Sequence, residues 1–238
     1  MDGNHKIDRS GFDRSCFFGE NHHAIFVDKS APVVYTCVHT VGILEVKQYM
    51  KPRLFLTGPS GCGKSTMIGR ELGERVRHAG GFRTVRSRDE HGRVSGFDIL
   101  SADGYGPRDR FLDLTAEHPR IDLEVFSGVG LDYLHRAGER SFAVLDEIGG
   151  VEVLNELFMN ELARYLQGDQ PCIGVMKGSG PAGKLVEMMG LTVRYELARR
   201  ALFEYLRNDP NTCLIECSGW NDPAALEAVR AWVARYAS

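Results

Sequence analysis

One eight-residue segment, from Gly58 to Ser65, most constrains what this chain can fold into. Its letters, GPSGCGKS, fit the pattern G-x-x-x-x-G-K-[ST] in full. Glycines let the backbone curl so that successive N–H groups point at the oxygens of a phosphate. An apolar run at 53–57 precedes the segment, and apolar residues with helical spacing follow it from 64 to about 78. This order of strand, loop and helix predicts a loop that binds phosphate at the N-terminus of a helix.

The residues of this loop have distinct expected roles. Lys64 is expected to reach the β- and γ-phosphates of a nucleotide and to act in catalysis, and Ser65 is expected to supply a hydroxyl to Mg²⁺. We predict that the loop and the first residues of the helix bind the nucleotide, namely Gly58, Pro59, Ser60, Gly61, Cys62, Gly63, Lys64, Ser65 and Thr66.

A second segment, 142–147, places two carboxylates directly after four apolar residues. A buried strand of this form carries its acids to the edge of the sheet where ligands bind. Asp146 is expected to hold Mg²⁺ directly or through water. Glu147 is expected to polarise an attacking water as general base. The pair favours hydrolysis, although some kinases also have acids at this point.

Strand and helix patterns alternate from residue 53 onward, which predicts a mostly parallel sheet with helices on both faces. Strands are predicted at 53–57, 82–86, 94–100, 141–146, 171–176 and 212–217. Helices are predicted at 64–78, ending at Gly80 and Gly81, and at 123–136, 152–166, 182–189, 195–206 and 223–236. In the helix at 152–166, the apolar residues on or near one face are Val153, Leu157, Leu162 and Leu166. Together these predict an α/β fold, the three-layer sandwich of P-loop NTPases, with a β-hairpin inserted at 82–100.

The first 49 residues differ from the rest of the chain. Asp, Arg, Ser, Gly and His are mixed there without a clear period up to about residue 29, and a β-prone stretch follows. We expect residues 1–49 to be a poorly ordered N-terminal extension and residues 50–238 to form the P-loop NTPase domain. The alternative is that 1–49 adds a short strand at the edge of the sheet.

Composition limits the classes of partner. A formal net charge of −3 argues against nonspecific nucleic-acid binding, which depends on an excess of Lys and Arg. No apolar run approaches the roughly 20 residues of a membrane span. The six cysteines contain no CxxC pair and are interpreted as reduced thiols of a cytoplasmic protein. We expect a monomer whose partner is a nucleoside triphosphate.

Four segments together resemble the THEP-type nucleoside-triphosphatases, which are small P-loop proteins of the kinase-like division. The segments are 58–65, GFRT at 81–84, GFDI at 96–99 and LDEIG at 145–149. The resemblance implies Mg²⁺-dependent hydrolysis of nucleoside triphosphates to diphosphates and phosphate, with loose base selectivity. The residues that match the family's positions for phosphate, Mg²⁺ and water chemistry are Lys64, Ser65, Asp146 and Glu147.

Two elements differ from the family's pattern. The counterpart of its G-[KR]-Y element, at 126–131, has no basic residue, and the Lys that usually follows D-E-I-G is absent although Glu152 is present. These differences bear on the rate of hydrolytic turnover rather than on nucleotide binding. Two alternatives therefore stay open: a nucleotide or small-metabolite kinase that uses ATP, and a nucleotide-dependent switch or binding module with slow hydrolysis.

Several other charged residues are candidates for contact with a substrate. Alternation along a strand places Arg86 and Arg88 on the same face as Thr84, either towards substrate or as a solvated hairpin face. Lys177 follows a predicted strand and is expected at the ligand edge. Asp98 is a candidate for substrate or Mg²⁺ water, or for capping a turn. A helix that could act as a lid carries Arg194, Arg199 and Arg200.

Overall fold

The computed structural model describes residues 14–15, 27–28, 51–178, 190 and 192–238. Internal contacts separate the chain into two units, Met1–Val46 and Lys47–Ser238. In the first unit the described residues form two short antiparallel strands, β1 (Arg14–Ser15) and β2 (Val27–Asp28). The expectation of a poorly ordered extension over 1–49 falls almost wholly outside the described residues and stays a prediction.

The described part of the second unit contains one eight-stranded sheet, in which the strands lie side by side in the order β10-β3-β9-β8-β4-β5-β6-β7. Its strands are β3 (Arg53–Thr57), β4 (Ala79–Arg88), β5 (Val94–Ser101), β6 (Asp109–Asp113), β7 (Arg120–Ile121), β8 (Phe142–Ile148), β9 (Cys172–Met176) and β10 (Thr212–Glu216). The five strands from β10 to β4 are parallel, while β5, β6 and β7 pair antiparallel. The predicted α/β sheet and its hairpin are confirmed, and β6 and β7 extend the hairpin further than expected.

Helices cover both faces of the sheet. They are α1 (Lys64–Leu72), α2 (Leu131–Glu139), α3 (Glu156–Gln167), α4 (Thr192–Asn208) and α5 (Pro223–Tyr236). Shorter helical turns flank three of them, with 3₁₀ geometry at Gly73–His78 and Val151–Leu154 and π geometry at Phe126–Gly130. The helix predicted at 182–189 lies outside the described residues. Within the part that the structure describes, no helix combines the length and the apolar character needed to cross a membrane.

Successive side chains of β3 point to opposite faces of the sheet, and the apolar core therefore lies in two layers. Phe55 packs with residues of α2, α3 and α4, whereas Leu54 and Leu56 pack with residues of α1 and α5. Each of the three side chains is at most 2% exposed, so apolar surface is removed from water on both faces. Helices, sheet and helices therefore form the predicted three layers.

The predicted end of the first helix at Gly80 and Gly81 is wrong, because both glycines lie inside β4. A Cβ atom at Gly80 would be 2.5 Å from the Cα of Ala137 in α2, and one at Gly81 would collide with the carbonyl of Val144 in β8. These glycines let a helix and a neighbouring strand approach β4 closely. The helical segment itself ends at His78, which agrees with the predicted range of 64–78.

Candidate functional site

The phosphate loop joins the C-terminal end of β3 to the N-terminus of α1, as predicted. Gly58, Gly61 and Gly63 have φ values of 125°, 80° and 89°, which L side chains rarely adopt. A Cβ atom at Gly58 would also collide with the carbonyl oxygen of Cys217, the residue after β10. The curled loop therefore depends on glycine both for its dihedral angles and for its contact with the segment that follows β10.

Lys64 is buried at the centre of this loop, with 8% of its surface exposed. Its Nζ donates hydrogen bonds to the carbonyl oxygens of Gly58 at 3.0 Å and Pro59 at 2.7 Å. The loop's own carbonyls thus hold the ammonium group against the inner side of the curl. A phosphate bound by the loop's N–H groups would be next to this positive charge.

Ser65 and Asp146 are in direct contact although 81 residues separate them. The Oγ of Ser65 donates a hydrogen bond to Oδ1 of Asp146 at 2.7 Å. Asp146 lies in β8, and the Thr84 hydroxyl of β4 donates to its backbone oxygen at 3.3 Å. Two strands and the first turn of α1 therefore position one hydroxyl and one carboxylate at the same point of the ligand edge.

This pair of oxygen donors fits a magnesium ion. Mg²⁺ takes oxygen ligands and is usually held by one or two protein groups together with phosphates and waters. The pKa of the Asp146 carboxyl is raised to about 7, chiefly by burial and in part by the neighbouring Glu147, although the hydrogen bond from Ser65 opposes this shift. A divalent cation would offset the cost of the buried charge. Ser65 and Asp146 are thus brought together as the sequence analysis expected for a metal site.

Glu147 lies on an irregularity of β8. Leu145 pairs with Gly174 and Ile148 with Met176, so Asp146 and Glu147 together oppose one residue of β9. Such a bulge re-aims a side chain. The φ of Glu147 is 64°, a left-handed conformation that costs a non-glycine residue on the order of 1–3 kcal/mol. The strand alternation is broken here, and the Glu147 carboxylate reaches to within 3.8 Å of the Lys177 Nζ.

Two cations share the ring of Phe97 beside the loop. The Lys177 Nζ is 5.8 Å from the ring centroid and the guanidinium carbon of Arg86 is 5.9 Å from it, which is within cation–π range. Arg86 also donates from Nη2 to the Ser60 Oγ at 3.2 Å. The side chains of Arg86 and Lys177 therefore lie at the predicted ligand edge. Phe97 was not predicted as a site residue. The signal that could have found it is its position in the GFDI segment, which resembles the family.

Four further charged candidates are engaged elsewhere. Arg88 donates to the carbonyl of Gly92 in the hairpin turn at 2.5 Å. Asp98 is 5% exposed and accepts hydrogen bonds from Ser87 and Arg110 in the antiparallel part of the sheet. In α4, Arg194 pairs with Glu156 and Arg199 with Glu196.

The loop after β8 is held by the buried carboxyl group of Glu152. In the sequence, this residue was marked only as one that matches the family's pattern. Glu152 is 4% exposed and accepts hydrogen bonds from the backbone N–H groups of Gly149 and Gly150. Tyr195 of α4 donates from its hydroxyl to the Gly149 carbonyl at 3.1 Å. Burial raises the pKa of Glu152 to about 7, while Lys177 and the two N–H groups oppose that shift. Glu152 and Tyr195 thus fix the loop that follows Glu147.

Comparison with known proteins agrees with this geometry. A family model described as NTPase matches residues 53–198, more than half of the chain. The chain is 28% identical over 151 residues to nucleoside-triphosphatase THEP1 of Thermotoga maritima, and the match covers 61% of this chain and 86% of that one. It is 32% identical over 139 residues to the cancer-related nucleoside-triphosphatase of Homo sapiens, with coverages of 49% and 70%.

A solved structure shares the fold. The crystal structure of THEP1 from the hyperthermophile Aquifex aeolicus matches with a TM-score of 0.51 and 19% sequence identity. The match covers 74% of this chain and 95% of that chain. At this identity the likeness bears on the arrangement of the sheet and helices alone.

Proposed function

We propose that this chain, which belongs to the THEP-type family of P-loop nucleoside-triphosphatases, hydrolyses nucleoside triphosphates to diphosphates and phosphate in a Mg²⁺-dependent reaction with loose base selectivity. One observation carries the proposal. The 2.7 Å contact between Ser65 and Asp146 joins the phosphate loop to the acidic strand, and Glu147 follows directly in the chain. The candidate residues for phosphate binding, for the metal and for the general base therefore lie side by side, which supports the proposal.

The phosphate loop and its neighbours supply binding and charge stabilisation. Phosphoryl transfer is catalysed almost entirely by positioning and by electrostatic stabilisation of the transferred group. Lys64 contacts the carbonyl groups of the loop itself, and Arg86 reaches the loop from β4 through Ser60. When bound, Mg²⁺ neutralises charge that develops on the β- and γ-phosphate oxygens. Ser65 and Asp146 are the residues that would hold it.

Glu147 is the candidate general base. Its side chain is 24% exposed, so it is open to water, unlike Asp146, which is 6% exposed. The bulge turns Glu147 away from the Ser65 contact and towards Lys177. The two adjacent carboxylates thus take different roles, one on the metal and one on the attacking water.

The test measures phosphate release from ATP, GTP, CTP and UTP with Mg²⁺. In Glu147→Gln we expect release to fall about 10²- to 10⁴-fold, the usual contribution of a general base, with nucleotide binding retained. Glu90→Gln is the matched control, because Glu90 is an exposed carboxylate in the hairpin turn. Equal turnover in wild type and Glu147→Gln would contradict the proposed role.

The same measurements separate hydrolysis from the other candidate activities. Phosphate transfer that requires an added acceptor would identify a kinase in place of a hydrolase. Tight binding with negligible turnover under both conditions would identify a nucleotide-dependent switch. Omission of Mg²⁺ should abolish release by wild type, and release that persists in excess chelator would contradict the metal assignment.

A further inference from the structure

A tryptophan lies exposed beside the phosphate loop. Trp220 follows β10 and is 63% exposed. Its ring packs on the backbone of Gly63, where a Cβ atom would be 2.5 Å from the ring atom Cε3 and 2.7 Å from Cζ3. The other large apolar side chains that the described residues expose are Tyr105, Leu157, Val193 and Leu197. One edge of the Trp220 ring thus touches the residue before Lys64, and most of its surface stays open to solvent.

The turn that carries Trp220 is held firmly on both sides. Asp222 accepts hydrogen bonds from the backbone N–H and the hydroxyl of Ser218, at 3.0 and 2.6 Å, and also caps α5. Before the turn, Cys217 donates its N–H to the carbonyl of Thr57 in β3 at 2.8 Å. The exposed ring therefore forms a platform on a well-held backbone, so contact with a ligand would cost little backbone conformational entropy.

The strand order shows which end of a bound triphosphate faces this platform. β3 lies between β9 and β10, and β8, with Asp146 and Glu147, lies beyond β9. The γ-phosphate belongs on the β8 side, because the metal and base candidates are there. The opposite end of the triphosphate then points to the β10 side, where Trp220 lies.

We propose that the Trp220 ring stacks on the nucleobase of the bound nucleoside triphosphate. The inference rests on the proposed function and deepens it by assigning the base subsite. Stacking on an aromatic ring tolerates any base, because each base has a π-face. Recognition by stacking would account in physical terms for the loose base selectivity proposed above.

Tryptophan fluorescence tests the proposal directly. The chain has two tryptophans, and the second, Trp232, is fully buried in the core with its Nε1 donating to the Pro52 carbonyl at 2.9 Å. Each of ATP, GTP, CTP and UTP should quench the emission of wild type. Inorganic tripolyphosphate, which has no base, should bind without that quenching. In Trp220→Phe the nucleotide-dependent change should disappear, which assigns the signal to Trp220.

Binding and kinetics give the second measurement. Trp220→Ala should weaken binding of all four triphosphates about 5- to 150-fold, the range for one stacked base, and leave tripolyphosphate binding unchanged. Trp220→Phe should restore most of the affinity. In hydrolysis assays, the Trp220→Ala substitution should change KM more than kcat. Tyr105→Ala is the matched control, because Tyr105 is an equally exposed aromatic residue and follows β5, which ends at the opposite edge of the sheet.

The outcomes distinguish this inference from the proposed function. Unchanged nucleotide affinity in Trp220→Ala, with normal hydrolysis, would overturn the base subsite and leave the hydrolase proposal standing. An equal loss of affinity for ATP and for tripolyphosphate would also overturn it, because the residue would then support the loop alone. If wild type neither binds nor hydrolyses the four nucleotides, both proposals fail together.

Discussion

Two arginines of β4, Arg86 and Arg88, lie on one face of the strand but reach different partners. Arg86 contacts Ser60 of the phosphate loop, whereas Arg88 contacts the hairpin turn. We expect Arg86→Ala to lower kcat about 10²- to 10³-fold, the range for removing one preorganised group that stabilises the transition state. Steady-state kinetics with ATP and Mg²⁺ measure this directly.

Arg88→Ala is the natural control for that measurement, because it removes the same charge from the same face two residues away. Its kcat should stay within about twofold of wild type. Equal losses in the two variants would show that the hairpin's overall charge matters and that Arg86 has no special role.

The central residues of the site could be predicted because their spacing is local. Gly58, Gly63 and Lys64 belong to one loop whose chemistry fixes their order, and Asp146 directly follows four apolar residues of one strand. The conformation of Glu147 could not be predicted in the same way. Its bulge arises from pairing with β9, about 25 residues later in the chain, and no local pattern encodes that register.

At the scale of elements, the loop after β8 depends on a carboxyl group with a raised pKa. Burial moves the pKa of Glu152 from 4.5 to about 7. The stability that this group contributes is fully present below pH 4.5 and is lost as pH rises through 7. Relative to Glu152→Gln, wild type should lose about 2 to 3 kcal/mol of unfolding free energy between pH 5 and 8. Urea denaturation of both proteins across this range provides the measurement.

Glutamine is a suitable replacement because its amide oxygen can still accept from Gly149 and Gly150. Glu156→Gln controls for the loss of a carboxylate, because Glu156 is 80% exposed in the first turn of α3. Its stability difference from wild type should stay nearly constant with pH. A similar constancy for Glu152→Gln would show that Glu152 has the same pKa in the folded and unfolded chain.

Some elements were missed or misplaced for identifiable reasons. The strand β7 has two residues, too few for an alternating pattern to be seen. In α3 the buried face is formed by Phe158, Leu162 and Leu166, while Leu157 is 61% exposed. The apolar face of this helix was predicted to begin too early in the chain. Asn155 caps α3 by accepting a hydrogen bond from the Phe158 N–H, and the residues before Asn155 form a separate 3₁₀ turn.

For the whole molecule, the segment just before β3 sets where the chain can be shortened. Lys51 donates to the Thr212 carbonyl, and the Pro52 carbonyl accepts from the Cys172 N–H and from Trp232. We expect a protein lacking residues 1–49 to keep these contacts, to unfold at nearly the same urea concentration as the full chain and to retain its turnover.

A protein lacking residues 1–52 is the informative comparison. It loses the hydrogen bonds of Lys51 and Pro52 and leaves buried donors unpaired, at a cost of about 1–3 kcal/mol for each such group. Its unfolding midpoint should therefore be clearly lower. If removal of 1–49 destabilises the protein as much, the N-terminal segment is part of the fold, and its interpretation as an extension is wrong.

The position of β3 between β9 and β10 has a consequence for how the protein is made. Thr212 of β10 pairs with Arg53 of β3 across a separation of 159 residues. At about 5–20 residues per second, a ribosome needs roughly 8–30 seconds to synthesise that stretch. Until then the loop lacks the backbone of Cys217 against which Gly58 packs. We expect a nascent chain to carry the complete GPSGCGKS segment yet acquire its nucleotide affinity only when the last strand has been released.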